Sequence, residues 1–398
     1  MLSLGLSGGI AAGKSLLSSR FRELGAIVID ADQLARDVVA PGTAGLAAVV
    51  HHFGEGVLLD DGTLNRAALG SRVFADKDEL AVLNGIVHPL VREAAEAIKR
   101  DAGPGTVVVQ DIPLLVETGQ GANFHLVVVV SAPEGVRLER MVSERGMSAE
   151  DALARMAAQA DDAQREAAAD IVLTNTGDPE AVIARLDSLW HERLLPFAAN
   201  LAAGVPALRG VPVDIVEADP SWPAQAARIM ARLARAAGEL AVGIDHIGST
   251  AVPGLASKDA LDIQIRVRDC ADADVLAGAL ASAGFPAQAG QWWDNGHDFA
   301  GGHAGERWEK RFHAAADPGR PVNLHLRVDG SPGAVFALAF RDWLRAEAGP
   351  RLQYEAFKRE LASKHATDDS GRCYAEAKEW WFANASPKLS EWSGRAGY

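Results

Sequence analysis

The chain has 398 residues, more than the ~250 to 300 at which single hydrophobic cores stop growing, so two domains are expected. Its 53 acidic and 39 basic residues give a formal charge of −14, which disfavours broad contact with nucleic-acid phosphates and favours a small-molecule partner. Only Cys270 and Cys373 are present, with no disulfide or metal-site spacing, and no apolar run reaches the ~20 residues of a membrane helix; a soluble, cytoplasmic protein without a membrane partner is expected.

In chain order, apolar runs at 2–6, 26–29, 106–109, 126–130 and 171–173 read as strands. Segments with helical periodicity at 14–24, 79–100 and 133–145 separate them. This alternation predicts an α/β domain, a parallel sheet covered on both faces. A helix over 179–200 runs into a Gly- and Pro-containing stretch at 201–212 without either period, which reads as a linker. The remainder, 213–398, is a second domain richer in tryptophan, with a helix near 221–238, strands at 263–267 and 322–328, and helices to the end.

Between the first strand and the first helix lies Gly8-Gly9-Ile10-Ala11-Ala12-Gly13-Lys14-Ser15, a complete G-x-x-x-x-G-K-[ST] match in the strand–loop–helix setting that the motif requires. Glycines let backbone N–H groups turn inward around an anion, and the helix N-terminus adds its positive end. Lys14 is expected on the β- and γ-phosphates and Ser15 on Mg²⁺, so the loop binds a nucleoside triphosphate. The second strand ends in Asp30-Ala31-Asp32 at the carboxyl edge of the sheet, where open α/β folds place ligands. Asp32 reads either as the base for an attacking hydroxyl or as the N-cap of a helix starting at Gln33. Asp111, at the end of the third strand, is placed to hold Mg²⁺ through water or to be a plain strand-end acid. Arginines of the segment from Arg137 to Arg155, Arg140 foremost, suit a lid that closes over phosphates; a solvated helix face with ion pairs is the alternative.

SGGIAAGKS, VIDADQLAR, LNGIVHPLVR, VQDIPLLVETG, RLERMVSERGMSAEDALARMAAQ and ADIVLTNTG, in that order, resemble the dephospho-coenzyme A kinase family over residues 1–200. The resemblance implies a P-loop NTPase fold of the nucleoside-monophosphate-kinase type with a lid. It also implies transfer of the ATP γ-phosphoryl group to the ribose 3′-hydroxyl of dephospho-coenzyme A, the substrate. By position it implies Lys14, Asp32 and Arg140 as catalytic, with Asp32 the base. Asp32, Arg36 and His88 then border the acceptor. The nucleotide is held by Gly8, Gly9, Ala11, Ala12, Gly13, Lys14, Ser15, Leu16 and Asn175, the last beside the adenine. Ala11-Ala12 and Leu16 stand where Gly-Ser and Thr are commoner in the family. His88, directly before Pro89, also reads as a turn-capping core histidine. The residues alone leave open another small-molecule or nucleoside-monophosphate acceptor, and a non-catalytic nucleotide-dependent module.

In the second half, Gly248-Ser249 followed by Asp262-Ile263-Gln264 suggests the nucleotidyltransferase arrangement of a glycine–serine turn and alternating acids on one strand face. Here the second acid is Gln264. The segment 213–385 resembles the GrpB family of nucleotidyltransferase-like proteins, an α+β fold, with His246, Lys258, Asp262 and Asn323-Leu324-His325-Leu326 as landmarks. His246, Asp262 and His325 read either as ligands of one transition metal or as buried hydrogen-bonding groups. Adjacency to a kinase suggests a regulatory or folding-supporting role.

Overall fold

A computed structural model describes residues 1–208, 213–368 and 371–398. The chain divides into one unit of Met1–Gln120 with Leu126–Asp187, and another of Gly121–His125 with Ser188–Tyr398. The division at Asp187 falls inside the long helical stretch, where helix Pro179–Leu189 passes through a π turn, Trp190–Leu194, into helix Leu195–Ala203. Of the 201–212 segment read as a linker, residues 209–212 lie outside the described residues.

The first unit is a five-stranded parallel sheet of β1 (Leu2–Gly8), β2 (Ile27–Asp30), β3 (Val107–Asp111), β4 (Leu126–Ser131) and β5 (Ile171–Thr174), in the order β2-β3-β1-β4-β5. β1 is buried along its whole length and β4 nearly so, which is why they read as unbroken apolar runs: central strands of such sheets have no solvent face. Register then aligns the strand ends. Asp111 lies opposite Leu6 of β1 and Asp30 of β2, so the phosphate loop after β1 and the turn after β2 leave the same edge.

The second unit contains a mixed sheet of β6 (Gly243–Ile247), β7 (Leu261–Val267), β8 (Trp292–Asn295), β9 (Arg307–Ala314) and β10 (Val322–Val328), ordered β6-β7-β10-β9-β8. Strands 263–267 and 322–328 were legible in the sequence; β6, β8 and β9 were not. Arg307-Trp308-Glu309-Lys310 breaks the apolar alternation because Lys310 points inward, 8 % exposed, beside an equally buried Trp308. Helices Trp222–Ala237 and Cys270–Ser282 share one core with Ile263, Ile265, Leu324 and Leu326. Helices Pro332–Ala346, Ala348–Lys364 and Glu379–Ala396 form a second core around Phe340, Trp343, Tyr354 and Trp381. Among the described residues no helix is long and apolar enough to cross a membrane.

Lys358 of this second core is 2 % exposed; its Nζ donates to Ala256 O at 2.6 Å and Ser249 Oγ at 3.0 Å, over the Tyr354 ring. Burial pushes its ammonium down to about 7 from 10.5. Between those values the unfolded chain binds a proton that the folded chain has released, so this group makes stability rise with pH across that window. Urea unfolding of the second unit followed between pH 7 and 10 is expected to show that rise, and Lys358→Met to reduce its slope.

Candidate active site

The phosphate loop is built by backbone conformations few residues accept. Gly13, the N-cap of helix Lys14–Glu23, has φ +103°, and a Cβ there would lie 2.3 Å from Asn175 Nδ2. Ala11 also sits at positive φ, +60°, a conformation that costs an L-residue roughly 1–2 kcal/mol and that glycine adopts freely. Ala12 is 1 % exposed.

Two polar clusters hold this loop. In the first, Asn175, 2 % exposed, donates from Nδ2 to Ala12 O at 3.0 Å. Its Oδ1 accepts from Arg140 Nη2 at 3.1 Å, and Arg140 Nη1 donates to Ala11 O at 3.1 Å. Arg140 and Asn175, 35 residues apart, thus meet on the loop. In the second, Asp111, 7 % exposed, binds Lys14 Nζ through Oδ1 and accepts from Ser18 Oγ through Oδ2 at 2.7 Å. Ser15 is exposed on the first helical turn, and Leu16 half-buried.

Three participants escaped the sequence reading in whole or part. Gln159 Oε1 accepts from Ile10 N at 2.8 Å. Arg137 and Arg165, only 4 % and 5 % exposed, converge on Asp162: Arg137 Nη2 at 3.0 Å and Arg165 Nη2 at 2.5 Å. Their guanidiniums lie over Gly9, where a Cβ would come within 2.6 Å of Arg137 Nη1 and 3.1 Å of Arg165 Nη2. A solvated arginine face thus does not describe Arg137. Arg165 and Gln159 carry no local signal, because each meets its loop partner only through long-range folding.

At the neighbouring strand end the helix begins two residues earlier than the capping alternative requires. Asp30 is the N-cap of helix Ala31–Asp37 and accepts from Gln33 N at 3.0 Å. Asp32 therefore sits in the first turn, exposed, and is not the cap. Arg36 and His88 are also exposed. His88 is neither in a turn nor in the core: it lies inside helix Lys77–Asp101, which continues through Pro89. Packing against Ala31–Asp37, Ala44–Phe53 and Arg66–Ala75 overrides the local bias against helix before proline. Among the described residues Asp32, Arg36 and His88 have no side-chain hydrogen bond or ion pair. Their two helices pack together, so these three free polar groups belong to adjacent elements.

In the second unit, β7 directs Ile263 and Ile265 into the core, and Asp262 and Gln264 to the other face. Gln264, fully buried, accepts from Arg327 Nη1 at 2.8 Å, and Asp262 accepts from Asn323 Nδ2 at 2.6 Å with His325 Nε2 at 3.8 Å. Burial opposes ionisation of Asp262, yet His325, Lys258 and Asn323 together hold its carboxyl below the usual range. Burial pushes both His246 and His325 down to about 4. His246 Nε2 is bonded to Thr250 Oγ1 at 2.9 Å. Among the described residues no group of three His, Cys, Asp or Glu is arranged to hold a metal ion. The single-metal reading of His246, Asp262 and His325 is therefore set aside: hydrogen bonds and pairing use these groups.

A family model described as dephospho-CoA kinase matches residues 2–180, and one described as GrpB protein matches residues 212–388. The dephospho-CoA kinase of Mycolicibacterium paratuberculosis is 47 % identical, over 100 % of this chain and 100 % of its own length. That of Streptomyces avermitilis is 53 % identical over 48 % of this chain and 94 % of its own. Among solved structures, the conserved protein GrpB from Enterococcus faecalis is 22 % identical, covering 45 % of this chain and 98 % of that one, with a TM-score of 0.36. On the strength of an end-to-end match at this identity, the chain belongs to the dephospho-CoA kinase family.

Proposed function

We propose that the chain transfers the γ-phosphoryl group of ATP to the ribose 3′-hydroxyl of dephospho-CoA, giving CoA and ADP, in a reducing cytoplasm where Cys270 and Cys373 stay free. The observation that carries this reading is the phosphate loop with Lys14, Arg140 and Asn175 held around it, in a chain whose full-length relative carries that activity in its name.

Phosphoryl transfer needs positioning and charge neutralisation more than covalent chemistry. The loop N–H groups and the start of helix Lys14–Glu23 receive the β-phosphate. Lys14 leaves Asp111 for the incoming phosphates, exchanging one anionic partner for another. Arg140, anchored between Ala11 O and Asn175, supplies fixed positive charge where the transferred group becomes more exposed to its field. Asp32, exposed and unpartnered at the strand edge, accepts the proton of the attacking hydroxyl, and Arg36 and His88 border the acceptor. The donor set suits Mg²⁺: a hard cation takes a carboxylate, a hydroxyl and waters, and Asp111 and Ser15 would hold it. When bound it neutralises charge between the β- and γ-phosphates. Arg137 and Arg165, paired through Asp162, brace Gly9 so that the loop keeps its curvature.

Formation of CoA and ADP from dephospho-CoA and Mg-ATP tests the reading directly; absence of turnover by the intact chain overturns it. Asp32→Asn is expected to leave ATP binding intact while slowing transfer by the ~10² to 10⁴ of a general base, measured by single-turnover kinetics. Unchanged transfer would assign Asp32 no role in proton removal. Arg140→Ala removes one preorganised charge from the transferring group and is expected to lower kcat by about 10² to 10³. A change confined to KM for ATP would reassign it to ground-state binding.

A further inference from the structure

The proposed transfer uses Lys14 and Arg140 on the phosphates and gives Gln159 no task. Yet Ile10, third of the eight loop residues, donates its N–H to Gln159 Oε1 at 2.8 Å, and the N–H groups of such a loop are the donors that hold an anion. A carboxamide oxygen is the neutral counterpart of a phosphate oxygen, and its bond is about half as strong as one to an ionised acceptor. A backbone nitrogen has one hydrogen to give. Gln159 and a phosphate oxygen therefore compete for Ile10, and the phosphate prevails.

The place of Gln159 is fixed by its neighbours. It lies in the segment 158–161 between helices Ala149–Ala157 and Asp162–Ala168. Ala160 donates its N–H to Glu117 Oε1 at 2.9 Å and accepts at its carbonyl from Arg165 Nη1, and Asp161 caps the following helix in a reciprocal box with Gln164. The preceding helix buries Ala152 alone. Gln159 thus stands where a firmly held segment meets a lightly packed helix. Beside it, the buried Arg137 and Arg165 share the single carboxylate of Asp162, a net positive charge next to Gly9 and Ile10.

Sheet order then selects the phosphate. Glu117 follows β3, which stands between β1 and β2, so the segment 158–161 is tied down on the side of the turn bearing Asp32. Asn175 directly follows β5, at the opposite edge of the sheet. With the acceptor at Asp32 and the adenine at Asn175, the γ-phosphate is the end of the triphosphate nearer Gln159.

We propose that Gln159 recognises the γ-phosphate of the donor and makes the site selective for ATP over ADP, an inference that rests on the kinase reading above for the direction of the triphosphate. When a γ-phosphate oxygen takes the Ile10 N–H, the carboxamide turns about its last torsion, which is broad and roughly two-fold, and presents Nε2–H to that phosphate. One side chain changes from an acceptor on the loop to a donor on the nucleotide, and the segment 158–161 is tied to ATP. ADP lacks the third phosphate and gains no such bond.

Calorimetric titration of the full chain with Mg-ATP and with Mg-ADP, without any acceptor, tests this through the ratio of the two dissociation constants. Gln159→Ala is expected to weaken ATP roughly 5- to 10-fold and ADP by less than about 2-fold. Gln159→Glu keeps an oxygen for Ile10 N–H but has no N–H to give and sets a negative charge against the phosphate, so ATP is expected to weaken by more than roughly 10-fold, and by more than ADP. A side chain that merely pinned the segment to the loop would behave otherwise: glutamate, the stronger acceptor, would keep the pin, and alanine would shift ATP and ADP alike. The proposal is overturned if either variant, with thermal unfolding like the parent's, keeps the parent's ratio of ATP to ADP affinity; if Gln159→Glu does not fold, Gln159→Ala decides alone. Because no acceptor is present, failure to phosphorylate dephospho-CoA would overturn the proposed function without altering this ratio.

Discussion

The ion pair of Lys14 with Asp111 is the constraint around which the first unit is organised. A carboxylate buried at the end of a central parallel strand must be paired or it costs several kcal/mol, and the chain supplies both partners, Lys14 and Ser18, from one helix. That docks the helix on the sheet and sets where the preceding loop can run. Because Asp111 lies opposite Leu6 and Asp30 in register, the same strand end fixes the distance from the phosphate loop to the turn bearing Asp32. One buried acid thereby ties the phosphate loop to the turn after β2.

The second unit solves its buried-charge problem differently. Where two alternating acids on β7 would demand cations, Gln264 replaces the second one and is bonded to Arg327, which reaches Asp294, which in turn pairs with Lys310. Each of these polar groups is hydrogen-bonded or ion-paired to the next.

Much of the kinase half is legible in the residues alone. An eight-residue phosphate loop between an apolar run and a helix is a local pattern, since its chemistry is carried mostly by backbone N–H groups and two side chains. The parallel strands are legible for a related reason: burial on both faces leaves continuous apolar runs. Where two local rules compete, the reading fails. Asp32 reads as a cap on sequence, yet the helix starts at Ala31 and Asp30 caps it; His88-Pro89 looks like a break, yet the helix is carried through by its neighbours. In the second unit β9 hides its alternation because Lys310 faces inward, tolerable only with Asp294 beside it.

The sequence by itself determined the phosphate loop, the alternation of strands and helices, the change of architecture in the second half and the replacement of a carboxylate by Gln264. Each of these is written in neighbouring residues or in a period. Only tertiary structure decided that Arg140 and Asn175 meet on Ala11 and Ala12, that Arg137 and Arg165 sit over Gly9 through Asp162, that Gln159 reaches Ile10, and that Gln264 accepts from Arg327. These depend on side chains far apart in the chain arriving at one place, and whether a buried polar group is satisfied is a property of that arrival, which no local pattern encodes.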